Sequence, residues 1–122
     1  MSPLNLPAWV EFPLQGRLTE LTGLPVAGDI DTKALALGES WLGAGRGHNN
    51  FMAMVVSTGI GGGIVLDGRL LDGASGNAGH IGHMIVVPDG RTCSCGAVGC
   101  LEAEASGWAI EEMTGQAPVE AP

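Results

Sequence analysis

Four residues in one short stretch carry the donor atoms of a metal site. His83 is followed by nine residues and then by Cys93-Ser94-Cys95-Gly96-Ala97-Val98-Gly99-Cys100. One imidazole and three thiolates make a Cys3His set, the donor composition of a closed tetrahedral zinc site. Gly96 and Gly99 let the backbone turn tightly enough for three sulfurs to converge. With 3 cysteines in the chain, no even-numbered disulfide framework is available, and Cys93 and Cys95 are too close in sequence to pair easily. The alternative is three inert buried cysteines, but such cysteines seldom cluster in a glycine loop. Four protein ligands leave no open position for a substrate water, so the zinc is expected to be structural. It would shape the loop and fix the ring of His83.

A second candidate is the run Thr58-Gly59-Ile60-Gly61-Gly62-Gly63. It lacks the GxxxxGK[ST] spacing of a P-loop and no helix follows it, so it is not a dinucleotide fingerprint either. Backbone N–H groups at Gly59, Gly61 and Gly62, with the Thr58 hydroxyl, can still face a phosphate. The competing reading is a tight turn that uses glycine for its backbone angles alone. Two carboxylates complete the set. Asp31 falls where a strand is expected to end and a helix to begin, a usual place for active-site groups in α/β folds. There it can take a proton from a substrate hydroxyl. It, or Asp29, can equally serve as a helix cap. Glu102, two residues after Cys100, is tied to the metal loop; it also suits the start of a helix on charge grounds.

The elements that would position these residues follow from local pattern. Residues 1–16 hold Pro3, Pro7 and Pro13 with Trp9 and Phe12 between them, an irregular segment whose aromatics pack on a neighbour. Residues 17–23 read as a short helix stopped by Gly23. Residues 25–31 read as a short strand, Thr32 as an N-cap, and 33–42 as a helix closed by Gly43, Gly45 and Gly47. The apolar run 51–57 has the pattern of a fully buried strand. After the glycine turn, strand 64–66, the Asp67-Gly68 hairpin and 69–71 follow. Residues 73–83 read as loop, 84–87 as a strand, 88–100 as loop, and 101–114 as one helix stopped by Gly115. The Ala/Pro-rich segment 116–122 is expected to be disordered. Together these elements predict an α/β fold.

Composition narrows the functional classes. The chain has 122 residues, enough for one modest domain, and 13 acidic against 5 basic side chains give a net charge of −8. That argues against general nucleic-acid binding, which calls for a basic excess. Hydrophobic residues at 45% argue against wholesale disorder. No apolar run reaches the ~18 residues of a membrane span, and residues 1–9 lack the charged start and apolar core of a signal peptide. The expected location is cytoplasmic. The 21 glycines are many for so short a chain and imply either special loops or an incomplete folding unit.

Considered jointly, the stretches STGIGGGI, NAGHIGHM and CSCGAVGCLEAEASG, with LPVAGDIDTKALALGE upstream, resemble the ROK family (repressors, open reading frames and sugar kinases) in order and spacing. The resemblance covers residues 3–115. It implies an actin-like, ribonuclease-H-like two-domain fold with a cleft between lobes. Residues 1–45 would be the end of the N-terminal lobe and 46–115 the start of the C-terminal lobe, making the chain a fragment across the junction. Family kinases move the γ-phosphoryl of ATP, with Mg²⁺, to a hexose or N-acetylhexosamine. By position, Asp31 matches the catalytic base, and Thr58, Gly59, Gly61 and Gly62 the phosphate-facing element. His83, Cys93, Cys95 and Cys100 match the zinc ligands, His83 also touching the sugar. His80 and Glu102 fall at sugar-binding positions. Three residues depart from the family pattern: Ile30 and Lys33 stand where Asn is usual, and His80 where Glu is usual. The phosphate loop D-x-G-G-T of family kinases does not occur in the chain. The resemblance therefore implies a truncated sugar kinase inactive on its own, a homo-oligomer in its complete form, and an exposed apolar surface. The alternative is the sugar-sensing part of a family repressor, with DNA binding supplied by a separate segment.

Overall fold

The computed structural model describes residues 6–119. Its centre is an antiparallel sheet of three strands in the order β1-β2-β3: Phe51–Val56, Ile60–Leu66 and Arg69–Leu70. Phe51 pairs with Val65 and Val56 with Ile60, so β1 and β2 are matched along their full length. Asp67 and Gly68 join β2 to β3 with φ of 50° and 73°, the two left-handed residues that a twist-compatible hairpin turn needs. Helix α1 spans Leu14–Thr22 and α2 spans Asp31–Leu42; α3 (Leu101–Ala105) and α4 (Gly107–Thr114) follow the cysteine loop.

Helix α2 lies on one face of the sheet, and the β2 glycines are what let it approach. A Cβ on Gly63 would stand 2.6 Å from the Ala36 Cβ, and one on Gly61 2.8 Å from the Thr32 Cγ2. On the opposite face, a Cβ on Gly62 would stand 2.9 Å from the Ile81 Cδ1. Alternation along the strand thus sends two glycines to the helix and one to the loop beyond. The core between α2 and the sheet is Ala36, Ala53 and Val65, flanked by Leu35, Phe51 and Leu70. A second cluster, Cys93, Cys100 and Ala103 with Ala97, sits under the cysteine loop.

Several local expectations need correction. The glycine run is not one turn: Gly61–Gly63 belong to β2 with no positive φ, and the turn is confined to Ser57–Gly59, where Ser57 N–H donates to Gly59 O at 2.9 Å. Steric room, not backbone angle, selected those glycines. Strand β1 is not fully buried. Met52, Met54 and Val56 are 51%, 52% and 55% exposed, because the helix covers one face only. Residues 25–30 form no regular element and pair with no strand among the described residues. Thr32 is not the N-cap; α2 begins at Asp31 after Ile30, and Thr32 is buried against Gly61. Residues 84–87 make a single bridge, Ile85 to Cys100, instead of a strand. The helix expected over 101–114 breaks at Ser106, whose Oγ accepts from the Ala109 N–H at 3.2 Å and so caps α4. Helix α1 starts three residues before the expected position, directly after Pro13. Trp9 and Phe12 stack on each other, centroids 4.7 Å apart. Of the segment 116–122, Pro118 lies against Gly107, and residues 120–122 fall outside the described residues. The expected apolar surface is present: Leu37, Trp41 and Leu42 on α2 join the β1 methionines in being exposed.

Candidate functional site

The cysteine loop brings its four predicted ligands together. One donor atom from each of His83, Cys93, Cys95 and Cys100 lies within 4.8 Å of every other. The Cys95 and Cys100 sulfurs are 3.8 Å apart, and Cys93 Sγ is 3.7 Å from His83 Nδ1. Ligands at zinc distances in a tetrahedron are separated by about 3.5–3.8 Å, so the cluster fits that ion, and the three cysteines are free thiols. Backbone bonds close the loop around them: Cys93 N–H donates to Ala97 O, Gly96 N–H to Cys93 O, and Val86 N–H to Gly99 O. Gly99, at φ 78°, is the position that admits no side chain, since a Cβ there would overlap the Val87 carbonyl. Burial, with the neighbouring Cys95 and Cys93 sulfurs, pushes the Cys100 thiol up to about 12. The Ala97 backbone, helped by Cys93, holds the Cys95 thiol below its ordinary value. A bound dication would supply the charge that makes a buried Cys100 thiolate tolerable.

A cleft of ≈ 1490 Å³ runs beside this loop, and it collects residues that are far apart in sequence. Asp31 enters from the first turn of α2, Thr58 and Gly59 from the β1–β2 turn, and Gly61 from β2. His80 and His83 enter from a 3-10 turn at Ile81–His83, and Glu102 from the first turn of α3. Gly62 is the predicted residue left out. Its N–H is spent on Gly79 O at 2.9 Å, and it does not line the cleft. Asp31 is exposed, and its Oδ1 accepts the Thr32 N–H at 2.8 Å. The helix N-cap is Ile30, with no side-chain cap bond, so Asp31 opens α2 without capping it and lines the cleft. Glu102 Oε2 accepts the Ile60 N–H at 2.8 Å, pinning the start of β2 to the first turn of α3. His80 places Nδ1 3.0 Å from Asn77 O; with a carbonyl there Nδ1 carries the proton, leaving Nε2 as an acceptor in the neutral ring. The rings of His80 and His83 are 6.2 Å apart and nearly parallel.

Sequence reasoning missed two connections. Nothing in the Glu102 motif signalled its bond to Ile60, 42 residues away. Lys33 was legible only as a departure from a family pattern, although Asp29 four residues before it is the spacing of a helical ion pair. In the structure Lys33 is buried and paired with Asp29 and Asp72.

A family model described as the ROK family matches residues 1–122. The chain belongs to the ROK family. It is 48% identical over 109 residues to a glucokinase of Thermotoga maritima, covering 89% of this chain and 34% of that protein. Over 116 residues it is 43% identical to an N-acetylmannosamine kinase of Pasteurella multocida, covering 95% of this chain and 39% of the relative. The crystal structure of a ROK family glucokinase from Streptomyces griseus, in complex with glucose and AMPPNP, superposes with a TM-score of 0.77 at 43% identity. That match covers 82% of this chain and 32% of the other. The chain thus spans about a third of the length of the curated relatives it matches. No described helix is long and apolar enough to cross a membrane.

Proposed function

We propose that this ROK chain supplies the sugar-facing part of an ATP-dependent sugar kinase, with a hexose or N-acetylhexosamine as acceptor. The carrying observation is that a single cleft gathers Asp31, Thr58, Gly59, Gly61, His80, His83 and Glu102. The names of its relatives, glucokinase and N-acetylmannosamine kinase, favour the same substrate class. In this reading the fold is a portion of an actin-like architecture spanning parts of both lobes.

The chemistry assigns each residue a task. Asp31 accepts the proton of the acceptor hydroxyl as its oxygen attacks the γ-phosphorus and ADP leaves; a positioned base of this kind contributes roughly 10²–10⁴-fold. Thr58 and Gly59 face the phosphates with a hydroxyl and a backbone N–H, and Gly61, paired with Val55, lines the cleft beside them. The Glu102 carboxylate and the ring nitrogens of His80 and His83 take sugar hydroxyls. Mg²⁺, when bound with ATP, screens the phosphate charge. His83, Cys93, Cys95 and Cys100 would hold a structural zinc, whose role is to fix the His83 ring and to hold the loop bearing Glu102 beside the cleft.

Calorimetric titration of glucose and N-acetylmannosamine into the zinc-loaded chain tests this reading. Saturable binding of one of them, with no ATP-dependent turnover by the 122 residues alone, is expected. In the complete protein, Asp31→Asn should abolish phosphoryl transfer while leaving sugar affinity and zinc content intact. Sugar binding without any transfer by the complete wild-type protein would point to the sensor alternative. Failure to bind any hexose or N-acetylhexosamine would overturn both.

A further inference from the structure

Lys33 is the third residue of α2 and faces the sheet, where a charge is least expected. Its side chain is 1% exposed. Lysine is almost never so buried unless its ammonium is paired, and here all three N–H groups have acceptors. The Nζ donates to the Asp72 carboxylate, to the Gly76 carbonyl at 2.9 Å, and lies 3.2 Å from Asp29 Oδ1. The partners come from two separate walls of the cleft. Asp29 lies two residues before Asp31. Asp72 and Gly76 belong to the loop that continues through Asn77 and Gly79 to His80, all three of which line the cleft.

That loop is held at both ends. Its far end is fixed by the Gly62 N–H on Gly79 O at 2.9 Å. Its near end has a turn of its own, with Ala78 N–H donating to Asp72 O at 3.1 Å. The bonds that join this near end to α2 are those of Lys33. Its hydrogen bond to the Asp72 carboxylate, followed by that to Asp29, holds the Lys33 pKa above its ordinary value despite burial, so the ammonium stays charged wherever the protein is folded near neutrality.

We infer that Lys33 is a positioning residue. Its ammonium, shared among Asp29, Asp72 and the Gly76 carbonyl, clamps the 72–80 loop to the N-terminal end of α2 and sets the separation of Asp31 from His80 across the cleft. The inference rests on the sugar-site reading for its consequence, but the clamp itself is a property of this chain. Removing the cation leaves the Asp29 and Asp72 carboxylates facing each other with no counter-charge. The loop then keeps its ties to β2, the Leu71 N–H on Ile64 O at 2.7 Å and the Gly62 N–H on Gly79 O, but loses its tie to α2, and the sugar meets a pocket whose His80 wall is no longer preset.

The test pairs Lys33→Met with Asp72→Ala and Asp72→Glu. Asp72 is 67% exposed, so its variants leave the core untouched even where Lys33→Met fails to fold. Hydrogen exchange of the 72–80 amides and calorimetric titration of the sugar bound by the wild-type chain are read together. Lys33→Met and Asp72→Ala should speed loop exchange about tenfold and raise the sugar Kd about tenfold, with binding stoichiometry and zinc content unchanged. Asp72→Glu should restore both. Partial unfolding alone would lower the stoichiometry and not the Kd. Wild-type exchange and Kd in folded Asp72→Ala would overturn the clamp. A wild-type chain that binds no sugar defeats the sugar-site reading instead, and the exchange rates then decide the clamp by themselves.

Discussion

The two walls of the cleft are held by different physics. The wall bearing His83 and Glu102 is the cysteine loop, whose ligands fall within 18 residues and whose backbone bonds are local. The wall bearing Asn77 and His80 is a glycine-rich loop tied to α2 by Lys33, through partners 39 and 43 residues away. With zinc bound, the first would be set by coordination geometry and would change all at once when a ligand is lost. The second is set by hydrogen bonds to one charge and loosens by degrees. A site built this way has one rigid wall and one adjustable wall, and His80 stands where they meet, its carbonyl accepting the His83 N–H at 3.1 Å.

Breaking the rigid wall has the largest expected effect. Cys100→Ser, or a strong chelator, should remove the metal and unfold residues 84–100, because a cluster of three thiols and an imidazole has little apolar burial to replace it. Elemental analysis of untreated protein should give about one zinc per chain; a folded sample without metal would break the contrast between the walls. Acid acts in the same direction, since protons compete with zinc for the thiolates and the imidazole.

Next in size is Glu102→Ala. It strips the acceptor from the Ile60 N–H, a backbone group in a buried residue. The cost, by urea denaturation, should be about 1–3 kcal/mol, whereas Glu102→Gln keeps an acceptor and should cost much less. Ser106→Ala removes the cap of α4 and should cost about 1 kcal/mol by the same measurement.

The adjustable wall is sharpened by pH. Lys33 is raised above its ordinary 10.5, chiefly by its hydrogen bond to the Asp72 carboxylate, so its contribution is whole below that value and is lost as pH rises through the folded value. Asp29 is lowered from 3.8, first by the Ile30 N–H and then by Lys33, so its contribution is whole above that value and is lost as pH falls through the folded value. Loop 72–80 should therefore loosen only at the two extremes. Amide exchange, corrected for its intrinsic pH dependence, should show a flat plateau between them. The smallest effect belongs to Asp29→Ala, since Asp29 lies 3.2 Å from the ammonium and the closer Asp72 carboxylate remains on it.

The same contrast explains what the sequence made legible. The Cys3His cluster, the Asp67-Gly68 hairpin and the Gly115 stop rest on contacts within 18 residues, and each is found where local spacing places it. Gly61–Gly63 were misread because the reason for them is α2 and Ile81, which arrive from elsewhere in the chain. Ser106 was hidden inside a helical pattern that continues on both sides of it, and a capping serine looks like any helical serine until its partner N–H is known. The segment 25–30 has the composition of a strand and lacks a neighbouring strand among the described residues. Its place along the cleft is what brings Asp31 to the site.

The claim that the cleft is a sugar site whose rigid wall depends on zinc is met most directly by one titration. Glucose and N-acetylmannosamine are titrated into the zinc-loaded chain and into the same chain stripped with chelator. Saturable binding of at least one sugar to the loaded form, lost on stripping and recovered on adding zinc back, is the predicted result. Equal affinity with and without zinc, or no binding by the fully loaded chain, would contradict it.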